Sequence, residues 1–116
     1  MAGSADLQAF RETTKKAWAL CSWKANIAGT IFGDETHFKE TTACVEESLS
    51  SASSTYAAAD PAAKQAVKPY YAKWLASMKS LPALQSASKA EIQRSISESG
   101  KALEEAWALV ELEYPQ

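Results

Sequence analysis

Two cysteines and one histidine are the residues of this chain best suited to chemistry, and their spacing decides which chemistry. Cys21 and Cys44 stand on either side of a segment bracketed by Gly29 and Gly33. A nucleophilic cysteine needs a base to take its proton. His37, the single histidine, is about two helical turns from Cys44 along the chain, which is a poor placement for a Cys–His pair. The two cysteines are too widely spaced for a C-x-x-C redox motif, and with one histidine they fall short of a four-ligand zinc site. A disulfide is what remains. It closes a loop worth about 3 kcal/mol in the unfolded chain. It also implies an oxidising compartment, so a periplasmic or secreted location is expected.

His37 has Asp34, Glu35 and Glu40 close by in sequence, and such a group can bind a divalent cation. The plainer reading is a solvated helix start whose acidic residues complement the macrodipole, so no metal is expected. Nor is haem: no C-x-x-C-H motif is present, and His37 and Met78 do not align as axial ligands. The adjacent pairs Glu46-Glu47 and Glu104-Glu105 point about 100° apart on a helix and lie on polar faces. Burial is needed to perturb a carboxyl for acid–base work. Gly-rich phosphate loops, Ser-His-Asp groupings and H-E-x-x-H are all missing from the sequence. The chain is therefore read as a non-enzyme without a cofactor.

The elements that would position these residues follow from hydrophobic spacing. Met1 to Ser4 resembles an expression-tag remnant, which leaves residues 5–116 as a single helical domain. Apolar residues make up 47% and charged residues 22%, as in globular proteins. Twelve basic and 14 acidic residues give a net charge of -2 with no basic run, so no nucleic-acid partner is expected. No apolar stretch approaches the ~20 residues of a membrane span.

Leu7, Phe10, Thr14, Trp18, Cys21, Ala25 and Ala28 recur at spacings of three and four, the stripe of an amphipathic helix that Ser4 or Asp6 can cap. The segment from Gly29 to Thr36 breaks it. Phe38, Thr41, Cys44, Val45, Leu49, Ala52 and Tyr56 form a second stripe, with Thr36 as N-cap and fraying expected within the serine-rich run 50–55. Asp60-Pro61 starts a third helix, which Pro69 is expected to kink before Leu81-Pro82 ends it. Ser88 and Glu91 make a capping box for a fourth helix. In that helix Gly100 suggests close approach of Tyr70 or Tyr71.

Antiparallel helices place residues equidistant from their turn opposite each other. Around the first turn Phe10 pairs with Tyr56, Cys21 with Cys44 or Val45, and Ala28 with Phe38; around the second, Val67 pairs with Leu103 and Met78 with Ile92. The expected fold is all-α, a four-helix up-down-up-down antiparallel bundle with a proline kink in helix three and a disulfide from helix 1 to helix 2. A looser orthogonal arrangement around Pro69 is the rival.

Two groups of residues are left as candidate sites. Trp23 lies about 200° around helix one from Cys21, with Leu20 and Ile27 beside it. These three and Phe32 form a candidate partner-binding face, unless the Ile31-Phe32 turn or helix three covers it. Tyr70, Tyr71, Trp74 and Trp107 are a candidate apolar pocket between helices. Leu109 and Leu112 lie outside the stripe of helix four, where Glu104, Glu105, Glu111 and Glu113 also crowd. Lys15, Lys16 or Lys73 is expected to offset those carboxylates. The functional expectation is a protein-binding module, such as an inhibitor or immunity protein, acting as a monomer or weak homodimer. A small apolar-ligand carrier and a structural or antigenic envelope protein are the alternatives.

Overall fold

The computed structural model of the chain describes the backbone of residues 4–32 and 35–114, with the side chains of all of these except Ser4, Phe32 and Glu35. Four helices follow one another: α1 (Ser4–Ile27), α2 (Glu35–Ala58), α3 (Pro61–Ser80) and α4 (Lys89–Glu113). A π-helical turn (Ala28–Phe32) prolongs α1, and a 3₁₀ turn (Pro82–Ser86) joins α3 to α4. No strand occurs among the described residues. The four helices form the antiparallel up-down-up-down bundle, drawn out to 47 Å along its axis.

α1 is the central helix. It lies closely along α2 and also touches α3 and α4, so α1 and α3 meet across the middle and α2 and α4 become the outer corners. The stripe explains this placement: Leu7, Phe10, Thr14, Cys21, Ala25 and Ala28 are all buried. Cys21 and Cys44 form the disulfide, with their Cα atoms 5.6 Å apart. Near the other end of the same helix pair the Phe10 and Tyr56 rings are 6.1 Å apart, so the register is right along most of the hairpin.

The helix starts follow local chemistry. Asp60 Oδ1 accepts from the Ala63 N–H at 2.9 Å, with Pro61 in the first helical position. Ser88 Oγ accepts from the Glu91 N–H at 3.2 Å, while Glu91 Oε1 accepts from the Ser88 N–H. Asp6 does something else than capping its own helix. Its Oδ2 accepts from the Asp60 N–H at 2.9 Å, which ties the start of α1 to the α2–α3 turn.

Four local expectations are corrected. The break at Gly29 does not occur: the helix continues as a π turn to Phe32, in which Thr30 Oγ1 donates to the Asn26 carbonyl at 2.6 Å. A Cβ at Gly29 would overlap the Ile92 side chain, so the glycine admits α4 against the end of α1. The second helix starts at Glu35, which places Thr36 inside it. It also runs through the serines to Ala58 without fraying, because Ala52 is fully buried and the Tyr56 ring packs 4.9 Å from Tyr71. Each serine costs only about 0.5 kcal/mol of helix propensity, which this burial outweighs. Finally, the neighbour of Gly100 is Trp18, not Tyr70 or Tyr71.

α3 remains one helix through Pro69 and is bent by 34°. Proline lacks the N–H that would reach the Gln65 carbonyl, and its ring presses on that turn. The consequence is a kink, not the break an orthogonal arrangement would need.

Candidate partner-binding face

The outer side of α1 carries the open question posed by the sequence, and no described residue covers Leu20, Trp23 or Ile31. Trp23 is 59% exposed, Leu20 and Ile31 are exposed as well, and Ile27 is half-buried beside them. The Ile31 turn therefore extends the apolar face instead of closing it. Phe32, also assigned to this face, has its side chain outside the described residues. Positions 20, 23, 27 and 31 rise along one side of the helix at spacings of three, four and four.

Two depressions lie between this face and α2. The larger, about 390 Å³, has Trp23, Ile27, Ala28 and Ile31 as its apolar wall and Lys24, His37 and Glu40 as its polar edge. The other lies next to it and shares Lys24 and Glu40, with Leu20 on the α1 side and Ala43 and Glu47 on the α2 side. Beyond Trp23, a shallower hollow borders α4 at Gln93, Ile96 and Ser97. Trp23 is thus a ridge with a groove on either flank. The disulfide sits beneath the α2 side of it, because Cys44 also lines the second depression.

The other candidate group has a different setting. Tyr70, Trp74 and Trp107 are buried, and Tyr71 is half-buried. Tyr70 and Trp107 meet edge to face at 5.1 Å, and Tyr71 lies 6.1 Å from Trp74. The polar atoms of Tyr70 and Trp74 are satisfied from α1: Trp74 Nε1 donates to the Thr14 carbonyl at 2.9 Å, and the Tyr70 and Thr14 hydroxyls are 2.6 Å apart. These rings pack against one another and against α1, and none of them lines the depressions described above. The sequence held no signal separating the two roles, since large aromatics at helical spacing serve either.

Arg11 completes this cluster and was not anticipated. Its guanidinium lies 5.7 Å from the Tyr70 ring centre and 5.4 Å from that of Trp107, and Nη2 donates to Glu104 Oε1 at 3.0 Å. A planar, weakly hydrated cation suits such a slot. Arg11, not Lys15, Lys16 or Lys73, is therefore what offsets a carboxylate of α4. Among the described residues Glu105, Glu111 and Glu113 make no ion pair. Leu109 and Leu112 are exposed near them.

Glu46, Glu47 and Glu105 are exposed. Burial, followed by the neighbouring Tyr56, raises the Tyr71 hydroxyl above its ordinary value, with a Ser53 hydrogen bond opposing. The Ser88 hydrogen bonds hold Glu91 below its ordinary value. Both shifts arise from packing and capping. Asp34 and the Glu35 side chain lie outside the described residues; among those described, no group of three or more His, Cys, Asp and Glu side chains is placed to hold a metal ion. No described helix is long and apolar enough to cross a membrane. Compared with protein-family models, with curated proteins and with solved structures, the chain matches none.

Proposed function

We propose that this chain is a non-enzymatic, exported binding protein that engages another protein through the face of α1 centred on Trp23. The carrying observation is the exposure of Leu20, Trp23 and Ile31 as one stripe beside an apolar cleft. A tryptophan in water with grooves on both flanks is the arrangement in which an interface anchor gains most on being covered. The disulfide directly behind the stripe supports the reading, since a preorganised surface loses little entropy on binding. Export is supported by the same bond, which is compatible with an extracellular or periplasmic location. An inhibitor or immunity protein is one member of this class.

The test installs the photo-crosslinker p-benzoylphenylalanine at Trp23 and, as a control, at exposed Lys101 of α4, in cells that make the protein. A discrete adduct with one protein from position 23, missing from position 101, is expected. That protein, purified, should then lose binding when Trp23→Ser is made, with the melting temperature almost unchanged because the side chain is largely in water. No adduct at position 23, or the same adducts from both positions, would remove the proposal. A second reading rests on the cleft volume: about 390 Å³ lies within the range of small-ligand sites. On that reading position 23 labels a small apolar molecule and no protein.

A further inference from the structure

The two depressions between α1 and α2 are neighbours with Lys24 and Glu40 on the rim of both, so together they trace a groove along the helix pair. Its α1 wall is apolar, set by Leu20, Trp23, Ile27 and Ile31. Its α2 wall is marked by Glu40 and Glu47, seven residues apart and so on one line of the helix. Neither carboxylate makes an ion pair among the described residues. From Leu20 to Ile31 is about three turns, or ~16 Å. The lining positions 20, 23, 24 and 27, and again 24, 27, 28 and 31, are i, i+3, i+4 and i+7 sets, the four-residue holes into which a further helix can insert its side chains.

From this geometry we infer that the occupant of the groove is an amphipathic helix of the partner whose apolar stripe faces α1 and whose α2-facing edge carries lysine or arginine. The inference rests on the binding-face reading above and adds the shape and charge of what binds. A straight groove between two parallel-running walls takes a helix better than an extended strand, because the described wall segments are helical and offer no free backbone donors or acceptors for strand pairing. The charge follows from the α2 wall: its two carboxylates, Glu40 and Glu47, outnumber Lys24 on the α1 side, and His37 stands beside Glu40 at one end of the groove only. An acidic edge on the incoming helix would be repelled there, and a basic edge would be paired.

The experiment uses the intact, disulfide-bonded chain. A displayed library of helical peptides of about four turns is prepared, with Leu, Ile, Val or Phe at seam positions and Lys, Glu, Gln or Ala at edge positions, and is panned against the protein. Enriched peptides are expected to carry lysine on one edge. Their binding should weaken by about tenfold or more on Trp23→Ser and on Glu40→Lys with Glu47→Lys, and the latter variant should come to prefer glutamate-edged peptides. All substituted residues are exposed, so unchanged melting curves verify that the variants fold. Enrichment without charge bias, binding indifferent to Glu40→Lys with Glu47→Lys, or no enrichment over bare support overturns the inference. If this happens while the Trp23 crosslink to a protein persists, the helical occupant is wrong and the binding face stands. Loss of both removes the two together.

Discussion

Single residues in this bundle are chosen for what approaches them, and the two mid-helix glycines show it with opposite consequences. Gly29 has the Ile92 side chain where its own Cβ would lie, with the Phe38 ring next to it. Ile92 and Phe38 are both buried, so neither has room to withdraw. Gly29→Ala should gain about 1 kcal/mol of helix propensity and lose more than this to overpacking, for a net loss of about 1–2 kcal/mol. Trimming the neighbour with Ile92→Val should recover part of the loss in the double variant, because the two sites share one contact. A Cβ at Gly100 would lie 3.3 Å from Trp18 Nε1. Trp18 is only half-buried and its indole can yield by a few tenths of an ångström, so Gly100→Ala should be neutral or stabilising by up to about 1 kcal/mol. Urea denaturation of the two variants decides the matter. Losses of similar size at both positions would show that Ile92 is not what requires Gly29.

At the scale of elements, what holds each helix start is local, and α4 allows a test by pH. Ser88 holds the Glu91 carboxyl below its ordinary value of 4.5 by hydrogen bonds, chiefly from its side chain and then from its backbone. A lowered folded value means that the native state favours the ionised form. Its contribution is therefore present above about pH 4.5 and is lost as pH falls through the lowered value. Glu91→Gln keeps an acceptor but no charge, so the stability gap between wild type and variant should be widest near neutrality and should close as the medium becomes acidic. Urea melts across pH measure this, and a gap independent of pH would argue against the capping box. These caps were legible in the sequence because their chemistry spans three or four residues: Asp60-Pro61 and Ser88 with Glu91 need no knowledge of the rest of the fold. The cysteine register was legible for a related reason, since two helices about one turn have only one free parameter. The π turn was not, because Gly29 reads as a breaker until Ile92, 63 positions later, is seen against it. The serine-rich end of α2 misleads in the same way, as its stability comes from Ala52 and Tyr56 packing. For the proposed binding face, helical spacing marks the side of the helix but not its cover. Whether Trp23 meets water depends on where α2 and α4 stop, which no helical wheel contains.

For the molecule as a whole, the two ends of the α1–α2 pair are fastened by different means. Near the start of α1, Asp6 accepts from the backbone of Asp60, Phe10 packs on Tyr56 and Tyr71, and Thr14 is bonded to Tyr70. Near its end the disulfide takes the place of such a network, supplemented by the insertion of Ile92 at Gly29. The proposed binding face is on this second end. A covalent tie suits this end, because Leu20, Trp23 and Ile31 face outward and add little to the cohesion of the bundle. Replacing both cysteines with alanine should lower stability by about 3 kcal/mol, as expected for a cross-link closing a loop of 23 positions, and the melting temperature by about 10 °C. The loss should also be uneven. Amide hydrogen exchange in the double variant should speed up most over residues 20–31 and 36–44, while residues 7–14 stay protected by their side-chain network. Equal loss of protection at both ends would mean that the disulfide stabilises the bundle globally and does not specifically hold the face in shape. A concentrated loss would tie the shape of the proposed face to oxidation, since the bond joins α1 to α2 beside the depression that Cys44 lines.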